Sequence, residues 1–126
     1  MTSQRTLLGL LVLFVLVLVV VYENLLLHPV PNLEINGREA RTTRFGLILD
    51  VRSPKEREQL GFYPRSIPIS LDRIEKEIPA SPDASILIYS NGDDRAKKAA
   101  IKLYHLGYHH VRYLPTTYLA MMPGSA

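Results

Sequence analysis

Cysteine is missing from this chain of 126 residues, and its absence excludes disulfides, thiolate nucleophiles and every cysteine-based metal site. An oxidising compartment is therefore neither required nor excluded. A concentrated basic stripe is missing too. From His28 onward fourteen lysines and arginines face eleven acidic residues, a net of +3 with the signs interspersed. Such a balance argues against nucleic acid as a partner. The histidines form no metal pattern, since His109 and His110 are adjacent and neighbours on a strand point to opposite faces. No metal or other cofactor is expected. Internal repeats are absent as well, and the length suits one domain of ordinary size.

What the chain has in excess is leucine and valine near its start. From Leu7 to Tyr22 all sixteen residues are apolar, glycine or tyrosine. The run reaches about twenty if Glu23 and Asn24 sit among lipid headgroups while Leu25, Leu26 and Leu27 continue the apolar face; a bilayer core needs roughly 20 helical residues, with a lower limit near 17. A cleaved signal peptide would place a small-x-small site just after the run, where Tyr22-Glu23-Asn24-Leu25 stands instead. A buried core helix this apolar on every face would be unusual in so small a soluble chain. The expectation is a tail and transmembrane helix over residues 1–27, with the lipid bilayer as partner and a single-pass membrane location. Arg5 and the terminal amine on one flank nearly balance Arg38, Arg41 and Arg44 on the other, where Glu23 and Glu34 come first, so the positive-inside rule does not orient the helix.

Two prolines make His28-Pro29-Val30-Pro31-Asn32 a short, stiff linker (28–32). Residues 33–126 then read as one α/β domain. Asn36-Gly37-Arg38-Glu39 resembles a capping box and predicts a short helix to about Thr43. Gly46 to Val51 is a compact apolar run suited to a buried strand. Ser53-Pro54-Lys55-Glu56 offers an N-cap serine, proline at the first helical position and a glutamate beyond it, in a helix ending by Gly61. Ile67-Pro68-Ile69 predicts a short strand, at an edge or a strand beginning because of its proline. Leu71, Ile74, Glu75 and Ile78 have helical spacing, closed by Pro79. Ser85 to Tyr89 predicts a second buried strand. Asp93 or Asp94 then starts a helix with Ala96, Ala99, Ala100, Leu103 and Tyr104 inward and Lys97, Lys98 and Lys102 outward, ended by Gly107. His110 to Leu114 is the last strand. Alternation of this kind implies a parallel sheet with helices on both faces and function beyond the carboxyl ends of its strands. The loop after Tyr89 lies there.

Leu49-Asp50-Val51-Arg52-Ser53-Pro54, followed by Gly61-Phe62-Tyr63-Pro64-Arg65-Ser66-Ile67-Pro68-Ile69, resembles the first half of a rhodanese domain. Ile86-Leu87-Ile88-Tyr89, the loop Ser90-Asn91-Gly92-Asp93-Asp94-Arg95, an alanine-rich helix and Leu106-Gly107-Tyr108 resemble the second half. The likeness covers roughly residues 45 to 118 and implies the rhodanese-like sheet. It also implies that Ser90 stands where the family carries its nucleophilic cysteine, with Asp50 and Arg52 at the strand end beside the loop.

A rhodanese carries sulfane sulfur as a persulfide on a thiolate, stabilised by loop N–H groups and the helix dipole. A serine hydroxyl cannot form that persulfide, and phosphatases built on this fold need the same thiolate. Serine catalysis would need a histidine within reach. His105, His109 and His110 lie at the far end of a helix of about eleven residues and beyond it, roughly 16 Å away. Asp93 and Asp94 suit the helix N-terminus as caps and repel an anion, and Arg95 has Asp93, Asp94 or Asp50 as candidate partners. Other family positions differ: Gly61-Phe62 stands for the common Gly-His, Arg65 for the glycine after Pro64, Thr116-Thr117 for a glycine pair, and Tyr118 to Met122 offers only a stub of the final helix. No catalytic residue is expected. The resulting expectation is a membrane-anchored, non-catalytic rhodanese-like module that binds a protein partner. The alternatives are a sulfurtransferase-related enzyme or a small-anion sensor using the Ser90–Arg95 loop.

Overall fold

Short apolar runs bounded by turn residues make the sheet, and one alanine-rich amphipathic segment makes its longest covering helix. A computed structural model describes residues 2–23 and 30–124. The chain divides into two units, Met1–Pro31 and Asn32–Ala126. Leu25–Leu27, and His28 and Pro29 of the expected linker, lie outside the described residues.

In the first unit, helix α1 runs over Thr2–Tyr22. Its stretch Ser3–Tyr22 is long and apolar enough to cross a membrane. The helix takes in Thr2 to Thr6 as well as the apolar run, so its 21 residues extend for about 30 Å at 1.5 Å each. The sixteen-residue apolar count alone understates that length.

In the second unit, α2 spans Gly37–Thr42, β1 Leu47–Asp50, α3 Pro54–Leu60 and β2 Ile67–Pro68. A 3₁₀ turn at Leu71–Arg73 leads into α4, Ile74–Glu77; then come β3 Ile86–Tyr89, α5 Arg95–His105, β4 Val111–Tyr113 and a final 3₁₀ turn at Tyr118–Met121. The four strands are parallel in the order β2-β1-β3-β4. Each strand is shorter by a residue or more than its apolar run, although Val51, Ile69 and Leu114 still donate backbone hydrogen bonds to the neighbouring strand. The single helix expected over Leu71–Ile78 is a 3₁₀ turn plus four α-helical residues.

Strand alternation sorts the core into two layers. Leu87 and Tyr89 face a cluster with Ile35, Ala40, Leu114 and Met121, which brings α2 and the last 3₁₀ turn onto one side. Ile86 and Ile88 face the other side, covered by α5. The small side chains of Ala96, Ala99 and Ala100 are all buried, letting α5 lie close to the sheet. Gly107, at φ 104°, ends α5 with the Tyr108 N–H on the Leu103 carbonyl, a Schellman closure.

Both sheet edges are blunted. Pro68 sits in edge strand β2, where its missing N–H costs no ladder bond. Along β4, Ile35 N–H donates to the Tyr113 carbonyl and Tyr113 N–H to the Leu33 carbonyl, so residues 33–35 cover that edge.

One backbone position is strained. Tyr63-Pro64-Arg65-Ser66 closes with Ser66 N–H on the Tyr63 carbonyl at 3.1 Å, and Arg65 holds φ 71°. A proline second and a positive φ third is the type II pattern, which favours glycine at the third position. Left-handed backbone costs a side-chain-bearing residue roughly 1–2 kcal/mol, and glycine gives back part of that gain through its looser unfolded state. Arg65→Gly is therefore expected to stabilise the domain by about 0.5–1 kcal/mol. Denaturant midpoints of the two proteins would measure it, and a less stable glycine variant would mean that the turn carries no strain.

Candidate functional site

At the carboxyl end of β1, Asp50 is wholly buried and Arg52 nearly so. The pair is bidentate: Arg52 Nε donates to Oδ1 at 2.9 Å and Nη2 to Oδ2 at 2.8 Å. The Arg52 backbone N–H adds a bond to Oδ1. From α3, Arg57 Nη1 reaches Oδ2 at 3.1 Å, and from the end of β3 the Tyr89 hydroxyl donates to Oδ2 at 3.2 Å. Burial raises the Asp50 pKa, but the hydrogen bonds and charge of Arg52 outweigh it and hold the carboxyl below its usual range. Burial likewise pushes the Tyr89 hydroxyl up. Arg52 continues outward, donating to the Gly61 carbonyl at 2.6 Å and to Asn91 Oδ1 at 3.1 Å.

The loop between β3 and α5 closes on itself. Ser90 is buried, and its hydroxyl donates to Asp93 Oδ1 at 2.9 Å. Asp93 Oδ1 also takes the Arg95 backbone N–H at 3.0 Å, and Oδ2 takes Arg95 Nη2 at 2.7 Å. Arg95 then spans to α3 with two bonds of 2.7 Å to Glu56. Glu56 Oε2 accepts from Asn91 Nδ2 at 2.8 Å, which returns the network to Arg52. Hydrogen bonds from Arg95 hold the Glu56 pKa down to about 2 and keep Asp93 low as well.

This geometry corrects the expectation that Asp94 caps α5, and among the candidate partners of Arg95 it selects Asp93. Asp94 occupies the N-cap position of α5, yet its side chain makes no capping bond and instead pairs with Lys98 at 3.2 Å. Asp93 supplies the carboxylate that meets the first helical N–H. Arg95 pairs with Asp93 and Glu56, not with Asp50, whose oxygens are taken by Arg52, Arg57 and Tyr89. Glu56 and Arg57 did not stand out in the sequence as site residues. The local signal at Glu56 was its capping box with Ser53, which is present at 3.1 and 3.2 Å and hides a partner 39 residues away.

Chemically the site is self-neutralised. Three guanidiniums, of Arg52, Arg57 and Arg95, meet three carboxylates, of Asp50, Glu56 and Asp93. Among the described residues no buried side-chain polar atom lacks a partner. The His110 carbonyl accepts from the Ile86 N–H at the opposite end of β3 from Ser90, and the His109 ring lies tilted against Tyr104 with ring centroids 4.7 Å apart. Those histidines belong to the other end of the sheet.

Residues 35–120 match the rhodanese-like domain family. This chain belongs to that family. Among solved structures, the rhodanese-like domain is similar to the human single-domain sulfurtransferase TSTD1, at a TM-score of 0.60 and 17% identity over 78% of this chain and 100% of that one. A Rhodopseudomonas palustris protein described as a possible tyrosine phosphatase gives 0.58 and 23%, over 73% of this chain and 79% of that one. For Alr3790 from Anabaena the values are 0.53 and 22%, with 60% of this chain spanning 61% of the length of the other. No curated protein matches by sequence. The three likenesses establish the fold.

The Glu56 bridge has a pH signature. A carboxylate whose pKa is depressed on folding stabilises the native state above its unfolded value, near 4.5. That contribution is lost as pH falls toward about 2. Glu56→Gln is expected to cost about 1–3 kcal/mol at neutral pH, since it removes charge-assisted bonds to Arg95. The deficit should shrink as acid is added. Denaturation midpoints across pH 2–7 would measure it, and a pH-independent deficit would assign the loss to packing instead.

Proposed function

We propose that this chain is a membrane-tethered rhodanese-like domain that transfers no sulfur and acts by binding a partner protein. One observation carries the reading: by the family resemblance Ser90 occupies the nucleophile position, and the chain contains no cysteine to take its place. Sulfur transfer requires a thiolate that attacks the donor, keeps the sulfane atom as a persulfide and passes it to an acceptor. A hydroxyl oxygen cannot hold that atom. Thiolate-based phosphatase chemistry fails on the same ground.

The surroundings of Ser90 support this reading independently. A persulfide or a thiosulfate is an anion, and the hydroxyl at this position already faces the Asp93 carboxylate at 2.9 Å. The small-anion sensor is disfavoured by the same geometry, because Arg95 is engaged by Glu56 and Asp93. A retained fold with a closed loop fits a binding module.

The decisive assay is thiosulfate:cyanide sulfur transfer by the purified full chain, where turnover at background is expected and clear turnover would end the proposal. Ser90→Cys tests the electrostatics separately. Its thiol is expected to titrate at or above the ordinary value of about 8.5, because Asp93 destabilises the thiolate, and to give no robust transfer. Adding Asp93→Asn should lower that midpoint, read from the pH profile of alkylation. A fully active Ser90→Cys protein would show that the loop still favours an anion.

The tether rests on the length and composition of α1. The full chain is expected to stay with membranes through an alkaline carbonate wash, and deletion of residues 2–22 to release it. Recovery from cells of a mature protein lacking those residues would instead identify a cleaved signal.

A further inference from the structure

A cavity of about 680 Å³ opens away from the Ser90–Arg95 loop, and no residue of that loop lines it. Its apolar wall includes Phe45, Ile48, Tyr63 and Met122, all half-buried. Arg44 and Arg65 also line it, both exposed, and among the described residues no carboxylate does. Among the described residues neither guanidinium has a hydrogen bond or an ion pair, in a domain whose other site arginines are all paired. The volume falls within the usual range for ligand pockets.

Arg65 adds an independent observation. It holds φ 71° in a turn where glycine would be relaxed. Strain kept at a position where the side chain makes no hydrogen bond or ion pair among the described residues points to a use for that side chain outside the fold. Two unpaired guanidiniums beside an apolar hollow select an occupant that is acidic at its flanks and apolar at its centre. Arginine favours carboxylates through its planar fork, and a buried anchor side chain in a pocket is the usual energetic centre of a protein interface. A lipid headgroup answers the arginines but leaves the apolar wall unfilled. An acidic peptide answers both.

We propose that this cavity is the docking site of the partner protein, and that it takes a peptide segment with one large apolar side chain between carboxylates. The apolar side chain packs against Phe45, Ile48, Tyr63 and Met122, and the carboxylates pair with Arg44 and Arg65. This assignment rests on the reading of the chain as a binding module.

The test uses the full chain in neutral phosphatidylcholine nanodiscs, panned against a randomised displayed-peptide library. Enrichment of sequences with an aromatic or large aliphatic residue flanked by Asp or Glu is expected. A synthetic peptide of that consensus should bind at least about tenfold more weakly to Arg44→Glu/Arg65→Glu, the scale of one lost charged contact. The same weakening is expected for Arg44→Ser/Arg65→Gly, which relaxes the turn and so separates loss of binding from loss of folding.

No enrichment, a consensus without acidic residues, or unchanged affinity in the variants would overturn the assignment. So would hydrogen-exchange protection of residues 43–48 and 63–67 brought about by phosphatidylserine nanodiscs alone, which would give the cavity to the bilayer. Sulfur-transfer turnover would end the binding-module reading itself. Failed panning without turnover would end only the cavity's role.

Discussion

The buried carboxylate of Asp50 is the constraint on which the carboxyl end of the sheet depends. A charge with no exposed surface must be paired and hydrogen-bonded, and removing one partner of such a pair typically costs about 3–5 kcal/mol. Five donors answer it: the Arg52 N–H and two atoms of its guanidinium, Arg57 and the Tyr89 hydroxyl. They come from the β1 end, from α3 and from the β3 end, so satisfying one carboxylate positions three elements. Arg52 is itself enclosed, with its guanidinium carbon 5.4 and 5.7 Å from the ring centroids of Tyr89 and Tyr118. Ser66 extends the arrangement to the Tyr63–Ser66 turn through the Tyr89 hydroxyl at 2.9 Å.

From that centre the network runs outward through Asn91 to Glu56, Arg95, Asp93 and Ser90. A loop that serves an anion keeps its donors free for the ligand. Here the donor side chains are turned on the protein's own carboxylates, so an incoming anion would have to displace Glu56 or Asp93 from Arg95. Charge-assisted bonds of this kind are each worth roughly 1.5–3 kcal/mol. The same contacts that would block a substrate tie α3 to the start of α5. The loop is a structural joint between α3 and α5.

The fold was legible because it depends on local patterns. Short apolar runs gave the strands, Pro68 gave the edge, Ser53-Pro54 gave the start of α3, and Gly107 gave the end of α5. The joint was not legible for the opposite reason. Asp50 and Arg52, two residues apart, read as an ordinary strand end, and nothing nearby announces that Arg57 and Tyr89 converge on the same oxygen. Glu56 looked fully explained by its capping box. Asp94 looked like a cap because acidic residues favour helix starts, but Asp93 was closer to the first N–H and Lys98 drew Asp94 away. Arg65 hides its strain completely in the sequence, except that the family resemblance places glycine there.

Strain and satisfaction are distributed unevenly, and the pattern has functional content. Natural sequences are locally consistent with their folds except where something other than folding sets the residue. In a working active site the inconsistency would sit in the catalytic loop, as unpaired donors waiting for a ligand. In this domain the loop is consistent at every charged side chain. The inconsistency lies instead at Arg65, whose backbone is strained, and beside it at Arg44; among the described residues neither guanidinium is paired, and both border an apolar hollow. The one strained side-chain-bearing position among the described residues thus lies away from the loop after β3, whose charged side chains are all paired.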